Sequence, residues 1–175
     1  MPPFHAYSFI PSVIWSPPLP LTHGVANLLL TPSVQEIGFT FGSVVTLPEG
    51  FRAVADALTR GDIDITTDPH LVPKGRRAAY DKENNIIRFC QDDILDFPEG
   101  RATAVHESVH AIHDIRRKNT SERSEESAAY IAAAWYLFSG MNPRPATTPT
   151  ELWDIAVQIR GRGRLGVGPA HASGA

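Results

Sequence analysis

The stretch Thr103-Ala104-Val105-His106-Glu107-Ser108-Val109-His110-Ala111-Ile112-His113-Asp114 holds two histidines four residues apart, with a glutamate directly after the first. On an α-helix, residues four apart stack one turn above the other, so His106 and His110 can offer two imidazoles to one metal ion. Glu107 is turned about 100° from His106, too awkward for a third ligand but placed to reach a metal-bound water. The chemistry expected of such a set is hydrolysis. A zinc ion brings the pKa of its water toward about 7, and Glu107 takes the proton as general base before returning it to the leaving amine.

A catalytic zinc takes three protein ligands and keeps one position for water, so a third ligand is required. His113 lies seven residues after His106, roughly 10 Å along a continuous helix, and cannot share the ion. The metzincin pattern is excluded as well, since His113 and Arg116 occupy the positions where it has Gly and a third His. The next helical stretch begins with two carboxylates, Glu125 and Glu126. Glu126 heads the apolar stripe Tyr130, Ala133 and Leu137, and is preferred because that stripe is expected to face inward. Glu125 heads Ala129, Ala132 and Tyr136 and stays open as the alternative, although an acidic residue at a helix N-terminus also suits the helix dipole. Tyr80, Tyr130 and His113 are candidate donors to an oxyanion. Asp114 is expected to orient His110 or to pair with Arg117 or Lys118 nearby.

His106-Glu107-x-x-His110, followed by Glu126 sixteen residues later, resembles the gluzincin zinc metallopeptidases in the compact form of minigluzincins and related small bacterial peptidase-like domains. The resemblance covers residues 78 to 138. It implies that His106, His110 and Glu126 hold Zn2+, that Glu107 activates the water, and that the hairpin before the helix offers an edge strand to an extended peptide. The chain departs from the larger gluzincins in lacking an extended second subdomain and an unambiguous His or Tyr motif for the oxyanion.

Positioning such residues takes a framework, and its elements are visible as periodicities. The histidines belong to a helix from Arg101 to about Lys118, whose Val105, Val109 and Ile112 form an apolar stripe beside them. A second helix runs from about Glu125 to Phe138, after a polar link from Asn119 to Ser124, and ends before Gly140 and Pro143. Upstream, Val25 to Leu30 fits a short helix or a buried strand, and Ile37 to Val45 one or two strands broken at Gly42. A helix from Pro48 to Arg60 closes at Gly61. Asp62 to Ile65 alternates as a strand stopped by Pro69, and residues 77–81 and 85–90 flank a hairpin turn in which asparagine tolerates positive φ. A last helix spans Thr150 to Arg160. The expected fold is α+β and zincin-like: a small, partly antiparallel sheet packed on the active-site helix and a second ligand-bearing helix.

Composition bounds the reading. The chain has 175 residues with a formal charge of −3, so it is no general polyanion binder, and neither nucleic acid nor membrane is expected as a partner. Cys90 is alone, which excludes a disulfide-stapled scaffold, and the remaining histidines lack ligand spacing. Residues 1–22 form a Pro-rich extended arm, 23–160 a single metallopeptidase domain, and 161–175 a Gly/Arg tail. No export signal or membrane span is visible, so the expected location is the cytoplasm, or outside by a non-classical route. The expected function is zinc-dependent hydrolysis of peptide bonds in a peptide or protein substrate. The alternatives are a silent zinc-binding or protein-interaction module, or a zinc hydrolase of a non-peptide amide or ester.

Overall fold

A computed structural model describes residues 20–117, 120–140, 154 and 156–158. The Pro-rich arm up to residue 19, the tail at 161–175 and most of the expected helix 150–160 lie outside the described residues. Asp154 and residues 156–158 are helical, and Ala156 joins the core. Helix α1 (Leu21–Leu29) corrects the arm's boundary by two residues. Pro20 precedes it as the N-cap, and Val25, Ala26, Leu28 and Leu29 are buried, so the segment left open as helix or strand is helical.

A short helix α2 (Pro32–Gln35) leads to the antiparallel pair β1 (Phe39–Phe41) and β2 (Val44–Thr46), broken at Gly42 with φ +59°. Helix α3 (Pro48–Arg60) ends where expected. Gly61 takes φ +75°, its N–H donates to Leu58 O, and the Asp62 N–H donates to Ala57 O at 2.9 Å. This Schellman closure occupies Asp62 and Ile63, which is why strand β3 (Asp64–Thr67) starts two residues later than the alternation predicts. Strands β4 (Ala78–Asp81) and β5 (Ile86–Phe89) form the expected hairpin, with Asn85 at φ +54°. β5 is central: it pairs parallel with β3 and antiparallel with β4, leaving β4 at an edge.

Two long helices complete the described fold, and both start earlier than periodicity suggested. Helix α4 (Pro98–Ile115) opens with Pro98, whose missing N–H would be unpaired in a first turn anyway. Gly100 is required there, because a Cβ at that position would sit 1.7 Å from Ile94 O of the preceding 3-10 turn. Helix α5 (Glu122–Gly140) starts within the stretch expected as a link, because Ser121 caps it: the Ser124 N–H donates to Ser121 Oγ at 3.2 Å. α4 packs chiefly on α5 and also touches α3 and β4. Val105, Val109 and Ile112 are at most 1% exposed, as are Ala128, Ala129, Ile131, Ala132 and Ala134 of the partner helix. Small residues on α5 let the two helices approach closely, which brings side chains of both to one point. Among the described residues, no helix is long and apolar enough to cross a membrane.

Candidate metal centre

That point lies between α4 and the first turns of α5. His106 and His110, one helical turn apart, bring their Nε2 atoms to 3.3 Å. Glu126 supplies the third group: its Oε2 lies 3.4 Å from His106 Nε2 and its Oε1 3.8 Å from His110 Nε2. One ligand atom from each of the three residues falls within a 4.8 Å cluster. Contact with the His106 imidazole, opposed by burial, holds the Glu126 carboxyl at about 2, well below its ordinary 4.5. It also meets Arg76 from the loop before β4, at 3.4 Å.

Glu125 goes elsewhere. Its Oε1 lies 2.7 Å from His110 Nδ1, the nitrogen facing away from the cluster, and its Oε2 accepts from the Thr120 hydroxyl at 3.3 Å. Burial would push the His110 imidazole down, but the hydrogen bond to Glu125 and the charges of Glu107, Glu126 and Glu125 leave it raised. The same contact lowers Glu125 against the pull of burial. The stripe expected to face inward proves the more open one: Tyr130 is 38% exposed, whereas Ala129 and Ala132, below Glu125, are fully buried. Glu126 therefore turns toward the two Nε2 atoms, and Glu125 toward Nδ1 on the far side of the His110 ring.

The cavity, of about 260 Å³, is lined by His106, Glu107, Tyr130, Ala133 and Leu137 together with Arg76 and Arg77 from the loop before β4. Tyr130 packs edge-on against the His106 ring at 4.6 Å between centroids. Glu107 is 5% exposed and, among the described residues, makes no hydrogen bond or ion pair.

Three sequence expectations are corrected. Asp114 neither orients His110 nor pairs with Arg117, and Lys118, its other expected partner, lies outside the described residues; it accepts from the Tyr80 hydroxyl at 2.9 Å and faces Lys82 Nζ at 3.9 Å, both on the hairpin. Tyr80 is thereby engaged away from the cavity, its phenol pushed upward by burial and then by Asp114. His113 is buried behind the cluster, 3.4 Å from Thr120 Oγ1, and its imidazole is lowered by burial. Neither Tyr80 nor His113 lines the cavity that Tyr130 shares with His106. Thr120 and Arg76 were missed altogether, since a threonine in a polar link and an arginine before a strand carry no signal in a single sequence.

The donor set fits a metal ion. Two imidazoles and a carboxylate leave one position open on a borderline cation such as zinc. A carboxylate such as Glu125 only accepts, so His110 carries its proton on Nδ1 and turns the Nε2 lone pair toward the cluster. Comparison of the chain with protein-family models, with curated proteins and with solved structures finds no match.

Proposed function

We propose that this chain is a zinc-dependent peptidase of compact, zincin-like architecture, in keeping with the gluzincin resemblance of its motif. His106, His110 and Glu126 would hold the ion, and Glu107 is the general base. The observation that carries the reading is Glu107 itself: a carboxylate on the wall of the cavity that His106 also lines, engaged in no hydrogen bond or ion pair among the described residues. A structural zinc site has no use for such a group.

When bound, zinc supplies Lewis acidity that makes a water acidic near neutral pH and polarises a carbonyl. The protein's own residues do the rest. Glu107 accepts the proton of the attacking water and delivers it to the departing amine nitrogen. Tyr130 stands at the cavity wall as the donor to the developing oxyanion. Among the described residues β4 is an edge strand beside α4, and such an edge suits an extended peptide that adds to the sheet by main-chain hydrogen bonds.

The test pairs metal content with cleavage of a broad peptide library for the wild type, Glu107→Ala and Glu126→Gln. One zinc per chain is expected in the wild type and in Glu107→Ala, with loss in Glu126→Gln and cleavage by the wild type alone. Zinc with no cleavage of any peptide would refute the peptidase reading, and absence of zinc would refute the ligand assignment.

A further inference from the structure

We propose that Glu125 is a positioning residue for His110, and that Thr120 and His113 hold it in place as a partly buried hydrogen-bonded chain. The inference rests on the metal-site reading of His106, His110 and Glu126. Its basis is a run of contacts: His110 Nδ1 to Glu125 Oε1 at 2.7 Å, Thr120 Oγ1 to Glu125 Oε2 at 3.3 Å, and Thr120 Oγ1 to His113 Nδ1 at 3.4 Å. The polarity of the run is fixed by its one obligate acceptor. The ionised carboxylate takes a proton donor on each oxygen, so His110 Nδ1–H and the Thr120 hydroxyl both point at it. The Thr120 oxygen then has only acceptor capacity left for His113, which carries its proton on Nδ1.

His113 adds an independent observation. It is 4% exposed, and its Nε2 is buried with no hydrogen-bond partner. A leucine would fill such a site without that cost, so the contact to Thr120 is what the imidazole contributes. The two histidine ligands are thus held differently. Among the described residues no hydrogen bond reaches His106 Nδ1, and its ring is steadied by the edge of Tyr130 at 4.6 Å, whereas His110 is aimed by a polar chain anchored in the core.

The experiment measures zinc affinity of the full chain by competition with a chromophoric chelator, together with the visible spectrum of the Co(II)-substituted protein. The variants are Glu125→Ala, Glu125→Gln, Thr120→Val and Glu126→Gln. Glu125→Ala is expected to weaken zinc by about 10–100-fold and to alter the Co(II) bands. Glu125→Gln recovers most of the affinity, because an amide oxygen still accepts from Nδ1. Thr120→Val loses a smaller factor. Wild-type affinity and spectrum in Glu125→Ala would overturn the proposal, and so would abolished binding in Glu125→Ala with binding retained in Glu126→Gln, which makes Glu125 the ligand. If Glu125→Ala does not fold, Thr120→Val decides, unchanged affinity being the adverse result. A wild-type chain that binds no zinc overturns the metal reading and this proposal together; a loaded wild type with unchanged affinity in Glu125→Ala and Thr120→Val overturns this one alone.

Discussion

The Tyr80 hydroxyl donates a 2.9 Å hydrogen bond to Asp114 Oδ2, tying the edge strand β4 to the last turn of the histidine-bearing helix. This contact holds the hairpin against α4 from a side away from the cavity. Tyr80→Phe is therefore expected to cost about 1–3 kcal/mol of stability in urea unfolding, the usual range for losing a hydrogen bond to a charged group. Zinc affinity and cleavage should stay within a few-fold of wild type. A drop in turnover of a hundredfold or more in a folded variant would instead make Tyr80 a donor to the oxyanion.

Glu107→Gln separates binding from chemistry. The amide keeps the shape of the side chain and removes the charge that acts on His110, so zinc should remain and the melting temperature should stay close to that of the wild type. Cleavage should fall by about 10²–10⁴-fold, the range for losing a general base. Calorimetry and steady-state rates on the same preparation check both halves; a destabilised variant would mean that the carboxylate has a partner in solution.

Glu126 predicts an acid limb for the metal-free protein. Its carboxyl is held at about 2 in the fold, mainly by His106, against an ordinary 4.5. Because the folded value is depressed, its contribution to stability is present above pH 4.5 and lost as pH falls toward 2. Urea unfolding of chelator-treated protein should show stability declining through that window, and Glu126→Gln should flatten the slope. Equal slopes in the two proteins would show that the pairing with His106 is not maintained.

Gly100→Ala reverses a general rule. In an exposed helix this change stabilises by about 0.5–1 kcal/mol. Here the new Cβ would meet the Ile94 carbonyl oxygen at 1.7 Å, a backbone atom with no rotamer to yield. A loss of about 1–3 kcal/mol is expected from the forced separation of the 3-10 turn and α4. A stabilised variant would show that the turn moves freely.

How far the sequence carried the site depended on whether one element or two were involved. His106 and His110 share a helix, so its period alone stacks them. Choosing between Glu125 and Glu126 needed the rotation of α5 against α4, and apolar stripes could not supply it, because α5 buries residues below both glutamates. Asp114 shows the same limit. The i+4 rule offered partners on its own helix, while its actual partner, Tyr80, is contributed by a hairpin far earlier in the chain. The hairpin and the end of α3 were legible because asparagine and glycine mark positive φ locally. Both long helices start before their apolar stripes do, at Pro98 and just after Ser121, residue types favoured in or just before a first turn but outside the hydrophobic periodicity.

The order of strands in the larger sheet bears on how the molecule assembles. β3 finds its parallel partner β5 only after the intervening β4 has been made, a non-local pairing that closes slowly. His106 and Glu126 are almost as far apart in sequence as Asp64 and Ile86, 20 residues against 22, but α4 and α5 form locally and only residues 116–121 join them, which keeps their docking entropically cheap. The cluster can therefore gather before the sheet is complete, and an ion captured at that stage would act as a template on which α4 and α5 dock. Refolding rates with and without zinc would then differ, with the helices gaining structure ahead of the strands.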